Sequence, residues 1–175
     1  MAHKSSLHIV GTGTIKLIGS SGRIKAYEKV SNLITTAGDL YYVTRAAAAV
    51  APATPADATK MTGMKLGTSA TTPTKSGAGA ALVLYKTGSN VSFSGSYPTV
   101  TSIGADLGYR LTYYSTWGPG VATDTALSEA VIVNDSSVNA TTTAANTIAR
   151  ITFTAINKQA GDTLSISWAH DFLGA

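Results

Sequence analysis

The sequence predicts a mainly β protein, an antiparallel β-sandwich of the jelly-roll kind with one short α-helix near residues 36–49. Short segments with alternating apolar and polar residues recur along the chain, and turn signals separate them about every ten residues. This spacing is typical of sandwiches and barrels rather than of βαβ units. Charged residues make up only 13% of the chain, which suits short strands better than long salt-bridged helices. With 175 residues, 1–175 is expected to fold as a single domain around its own core.

The clearest strand pattern lies in residues 149–172. Apolar side chains alternate in 150–156 and again in 164–172, and the polar segment between them contains Gly161, which favours a tight turn. We therefore expect a hairpin with one polar and one apolar face. Such a hairpin needs further strands to cover its apolar side.

The N-terminal part of the chain predicts two short strands, 7–10 and 15–18, around a Gly-rich turn at 11–14. A second turn follows, and 24–30 is a third strand. The net charge is +4, and five of the thirteen basic residues lie in the first thirty positions. We expect ordinary solubility charges here, but the same pattern leaves open a basic docking arm, which would comprise residues 1–14.

One helix is predicted to begin at Thr36, whose side chain would cap the first turn in a Thr-Ala-Gly-Asp box that ends at Asp39. Leu40, Val43 and Ala47 follow at helical spacing. A Pro-containing segment then ends the helix.

The middle of the chain contains further predicted strands and one long loop. The predicted strands are 61–66, 82–85, 91–93, 109–113 and 127–133. Residues 67–81 are a run rich in Thr, Ser, Gly and Ala. A loop of this length is uncommon in a compact domain, so it is functional, extends onto a neighbour, or is poorly ordered when free.

The residues that carry chemistry predict neither an enzyme nor a metal or cofactor site. The chain has three histidines and no cysteine, which excludes disulfides and thiolate metal sites. His170 and Asp171 are adjacent in a predicted strand and so point to opposite faces, which prevents Asp171 from orienting His170 in a catalytic triad. We expect the His170 ring to be hydrogen-bonded within the strand. No apolar run is long enough to cross a membrane, and no signal peptide is recognisable.

The aromatic residues are the best predictors of an interface, because tyrosine and tryptophan are enriched where proteins meet. Tyr109 and Tyr113 alternate within one strand, and we expect both to pack on the core with their hydroxyls at the rim. Tyr97 and Tyr114 lie outside that alternation. The residues that we predict at an interface are Lys4, His8, Tyr97, Tyr114 and Trp117.

Five segments in this order resemble a group of small virion proteins of tailed bacteriophages. They are 32–38 with the helix that follows, 64–73, 127–130, 149–153 and 162–168. Members of this group are β-sandwich modules used as capsid decoration (cement) proteins or in tail and fibre parts.

The resemblance implies a decoration protein that binds the outer shell of a phage head and stabilises it by bridging capsomers. Its expected partners are the major capsid protein and further copies of itself, with no membrane or nucleic acid partner, and its expected location is the virion, assembled in the host cytoplasm. Two alternatives stay open: a tail, adaptor or fibre component, and a carbohydrate-binding module that uses exposed aromatics such as Tyr114 and Trp117.

Overall fold

The computed structural model describes residues 7–47, 60–105 and 107–174. Within these residues the chain forms ten strands, one α-helix and two short 3-10 turns. The strands are β1 (Leu7–Ile18), β2 (Ile24–Ser31), β3 (Leu33–Ile34), β4 (Gly63–Gly67), β5 (Val91–Ser92), β6 (Thr99–Ser102), β7 (Tyr109–Trp117), β8 (Asp124–Val133), β9 (Thr147–Lys158) and β10 (Thr163–Gly174), and the helix is α1 (Thr36–Ala47).

Two antiparallel five-stranded sheets face each other. The first sheet has the strand order β2-β1-β10-β7-β6, and the second has the order β3-β9-β8-β4-β5. Apolar side chains from the inner faces of both sheets form one core, which includes Trp117 and Trp168 from the first sheet and Ile132 and Ile151 from the second. The predicted mainly β class and its sandwich-like arrangement are confirmed.

The predicted hairpin at 149–172 is wrong, although both of its strands exist. β9 pairs with β8 in the second sheet, whereas β10 pairs with β1 and β7 in the first. The turn between them therefore carries the chain from one sheet to the other. Phe153 of β9 and Ile166 of β10 both point into the core, so the apolar faces of the two strands meet across the sandwich rather than side by side.

The predicted turn at 11–14 is also wrong, because β1 runs without interruption through these residues. Gly11 lies opposite His170, and Gly13 lies opposite Trp168, in the pairing with β10. A Cβ atom on Gly11 would overlap the side-chain amide of Asn32. The glycines are thus strand residues whose missing side chains leave room for large neighbours, which is a known use of glycine within strands.

The second half of the possible docking arm, residues 1–14, is part of a paired strand. β1 begins at Leu7 and pairs along its whole length with β10, and from Thr12 onwards it also pairs with β2. Residues 7–14 therefore belong to an interior strand of the first sheet. Residues 1–6, including Lys4, lie outside the described residues.

The predicted helix is confirmed as α1, but its cap is one residue earlier than expected. Thr35 Oγ1 accepts a hydrogen bond from the Gly38 amide at 3.0 Å and donates one to the Thr147 carbonyl oxygen at 2.6 Å. This cap ties the start of α1 to the start of β9. Asp39 instead forms a surface salt bridge with Lys75. No helix among the described residues is both long and apolar enough to span a membrane.

The side of α1 that faces the core differs from the side predicted by the spacing of its aliphatic residues. Tyr41 and Tyr42 pack against the core, and the Tyr42 ring lies edge-to-face on Phe172 with centroids 5.0 Å apart. Leu40 and Val43 lie on the opposite side of α1, and Val43 is 67% exposed. The helix therefore covers the end of the first sheet with its tyrosines and presents its aliphatic side chains to solvent.

Candidate interaction surfaces

The His170 ring sits at the centre of a buried polar network. Asn32 Nδ2 lies 3.1 Å from His170 Nε2, and the other ring nitrogen, Nδ1, contacts the Tyr42 hydroxyl. That hydroxyl in turn contacts the Tyr113 hydroxyl at 3.2 Å. Burial lowers the pKa of the His170 imidazole from 6.5 to about 3, and burial raises the pKa of both tyrosines. All three groups are neutral at pH 7 and join α1 to the first sheet.

As expected for adjacent strand residues, Asp171 points to the face of β10 opposite to that of His170. It forms a two-pronged ion pair with Arg110, at 2.6 and 2.8 Å. This ion pair lowers the pKa of the Asp171 carboxyl. Among residues 7–47, 60–105 and 107–174 there is no group of three or more side chains that could hold a metal ion.

A fully buried ion pair on the outer face of the second sheet holds a long loop in place. Arg150 donates to Glu129 Oε2 through Nε at 3.0 Å and through Nη2 at 2.8 Å. Glu129 also accepts the backbone amides of Ser69, Val83 and Leu84. The segment from Thr68 to Leu84 is therefore clamped onto the sheet.

Two further departures from the sequence prediction lie in the loop at 82–85 and in β6 of the first sheet. Residues 82–85 do not form a strand, because their backbone is directed to the Glu129 carboxylate and makes only one isolated bridge, from Tyr85 to Gly67. β6 was not predicted, since its Thr- and Ser-rich sequence lacks the apolar alternation of a half-buried strand.

A second buried cation extends this covering layer. Lys65 is fully buried on β4, and its ammonium contacts Asp135 Oδ1 and the Ala140 carbonyl oxygen, both at 3.0 Å. The Tyr85 ring lies beside it, with its centroid 5.8 Å from Nζ. Tyr85 also donates to Asn139 at 2.8 Å. The loops 68–90 and 134–146 thus meet over the second sheet and bury its outer face.

The structure places the predicted interface residues in different environments. Trp117 is fully buried, and its indole N–H donates to the Ser89 carbonyl oxygen at 2.6 Å, so its assignment to an interface is wrong. Tyr97 and Tyr114 lie together on the first sheet, with ring centroids 5.3 Å apart. His8 is an exposed residue of β1.

The two tyrosines that were expected on the core behave differently. Tyr113 is buried as predicted, but Tyr109 is 61% exposed. Tyr109 has the inward direction of its strand, yet it lies opposite Phe172 near the end of β10, beyond the reach of the second sheet. An exact alternation therefore does not ensure burial where the facing sheet has ended.

Exposed apolar side chains occur at two separate places near this end of the molecule. α1 contributes Leu40 and Val43, which lie on the side of the helix away from Phe172. The hairpin between β6 and β7 contributes Val100, Leu107 and Tyr109. We call the surface formed by Val100, Leu107 and Tyr109 the apolar end. Apolar patches of this kind on a soluble protein indicate contact with another molecule.

The comparisons with known proteins identified no relative of this chain. Neither a scan against protein-family models, nor a search of curated proteins, nor a search of solved structures found a match.

Proposed function

We propose that this chain is a structural protein of a tailed-bacteriophage virion that decorates the outer face of the head and stabilises it by bridging neighbouring capsomers. The observation that carries the proposal is the apolar end. It leaves three large apolar side chains in solvent on a domain whose loops over the second sheet are tied down by buried charged groups. A rigid module with an uncovered apolar surface is suited to assembly on a larger body.

The physical advantage of such a protein comes from repetition. Each copy makes a modest contact, and the symmetry of the shell multiplies it, so that copies that also contact each other hold the lattice by avidity. The clamped loop from Thr68 to Leu84 lowers the conformational entropy lost on docking, because it is ordered before any partner binds.

The carbohydrate-binding alternative is weakened, because Trp117 is buried and only Tyr114 remains of the two aromatic residues on which it rested.

A tail or fibre component differs from a decoration protein in its number of copies per particle. Quantitative mass spectrometry of purified particles gives the copy number relative to the major shell protein. A ratio near that of the shell protein supports decoration, and a handful of copies per particle contradicts it.

A variant pair tests whether the apolar end is the docking surface. Val100→Lys together with Leu107→Lys places two charges on it, and Val121→Lys is the matched control, because Val121 is exposed beyond the opposite end of β7. We expect the double variant to lower occupancy on particles about tenfold or more at an unchanged melting temperature, and the control to bind normally. Equal occupancy for all three proteins contradicts the assignment.

A further inference from the structure

A groove runs along the flank of the sandwich, between β2 at the edge of the first sheet and the second half of β9 in the second sheet. Its volume is about 660 Å³. Leu17 and Ile156, both buried, contribute to its floor, and Tyr27, Glu28 and Ala155 contribute to its walls. Tyr27 is 64% exposed.

The β9 side of this groove is an unpaired strand edge. β3 pairs with β9 only at Ala149 and Arg150, and no strand of the described chain continues along that side of β9 towards Lys158. The pairing of β9 with β8 on the other side is irregular here, and it leaves both Thr154 and Ala155 exposed to the groove. An edge of this kind can accept another strand.

One backbone group of this edge already has a substitute partner. The Thr154 amide donates to Glu28 Oε2 at 3.0 Å, from the neighbouring sheet. The Glu28 carboxylate therefore occupies the position that a backbone carbonyl oxygen of an added strand would take. It shows that the Thr154 N–H is directed into the groove and is available to an acceptor.

The charges of the groove favour a cationic occupant. Lys25 already forms an ion pair with Asp162, with 2.6 Å between Nζ and Oδ2. Glu28 has no salt bridge to any basic side chain in the described parts of the chain, 7–47, 60–105 and 107–174. The exposed Tyr27 ring adds an aromatic surface on which a cation can rest.

We propose that this groove binds an extended polypeptide segment that carries a lysine or arginine. The segment adds to the free edge of β9 between Thr152 and Lys158, and its cationic side chain binds Glu28, which releases the Thr154 amide to the backbone of the new strand. Backbone hydrogen bonds supply binding that is independent of sequence, and the charge supplies the selectivity. The proposal does not depend on the virion role.

The test uses nitrogen-15-labelled protein and two capped heptapeptides at low salt, Thr-Val-Thr-Lys-Thr-Val-Thr and the same peptide with Glu in place of Lys. We expect the Lys peptide to shift amide resonances in 152–157 and 24–28 and to slow hydrogen exchange in 152–156. We expect it to bind about fivefold more tightly than the Glu peptide.

Glu28→Gln keeps an acceptor for the Thr154 amide but removes the charge, and Asp39→Asn is the matched control, because it removes an exposed carboxylate that does not line the groove. We expect Glu28→Gln to reduce the preference for the Lys peptide to less than about twofold and Asp39→Asn to retain it. The proposal is overturned if the shifts fall elsewhere, if exchange in 152–156 is unchanged, or if Glu28→Gln keeps the full preference. Self-association of the protein through the same residues without peptide would also overturn it, since the edge would then belong to a second copy.

Discussion

Replacing Glu129 by glutamine tests the loop clamp, because Glu129 is the one acceptor on which five donors converge in the described structure. Its carboxylate accepts two hydrogen bonds from Arg150 and one each from the amides of Ser69, Val83 and Leu84. Both members of the ion pair are fully buried. Glutamine has nearly the same shape, but it turns one acceptor oxygen into an NH₂ group that faces donors and leaves the Arg150 charge without a counter-ion.

The expected loss is large because the remaining charge cannot reach water. Breaking a buried ion pair by removing one partner costs about 3–5 kcal/mol. In a domain of this size a change of 1 kcal/mol moves the melting temperature by about 2–4 °C, so we expect Glu129→Gln to melt about 6–20 °C lower. The Glu129→Met/Arg150→Met double variant removes both charges, and we expect it to be more stable than the sum of the two single changes by at least about 2 kcal/mol.

Hydrogen exchange separates a clamp from a general contribution to stability. Ser69, Val83 and Leu84 lose their acceptor in Glu129→Gln, so their amides should exchange faster than amides of the first sheet, such as those of β10. The reasoning is refuted if Glu129→Gln loses less than about 1 kcal/mol, or if the loop amides are no faster relative to β10 than in the unaltered protein.

Two further predictions concern the network around His170. Gly11→Ala should destabilise the fold by about 1–3 kcal/mol in denaturant unfolding, because the new Cβ overlaps the Asn32 amide. Its effect should be smaller when Asn32 is also alanine, and an equal effect in both backgrounds contradicts this cause. The pKa of His170 is lower in the folded protein than in the unfolded chain, so on acidification the unfolded chain takes up the proton at a higher pH. The contribution of His170 to the free energy of unfolding is therefore complete above about pH 6.5, and it falls by up to about 1.4 kcal/mol per pH unit towards pH 3. Unfolding curves between pH 4 and 6.5 should lose this slope in His170→Gln, whereas an unchanged slope contradicts the assignment.

The sequence predicted strands well where burial of one face imposes a regular alternation of apolar and polar residues. β7 and both strands of 149–172 were found in this way, whereas the start of α1 was placed by its capping signal. The partners of those strands were not predictable, because an alternating strand buries its apolar face equally well beside its neighbour in the chain or across a sandwich from it.

Glycine was the main source of error in the N-terminal part. Gly11 and Gly13 looked like turn residues because the sequence does not show that the side chains of Asn32 and Ile151 occupy the space beside them. Trp117 was misassigned because tryptophan is enriched at interfaces, whereas here its indole N–H donates to a buried acceptor, the Ser89 carbonyl oxygen.

The two sheets are exposed to solvent in different ways, and this asymmetry decides where further contacts can form. The outer face of the second sheet is closed by loops that are fixed through Glu129 and Lys65, so a partner could reach it only by breaking buried ion pairs. The apolar end and the flank groove require no such loss, because one consists of exposed side chains and the other of an unpaired strand edge. These two surfaces lie at opposite edges of the first sheet, which has the strand order β2-β1-β10-β7-β6. A partner on one of them would therefore leave the other accessible.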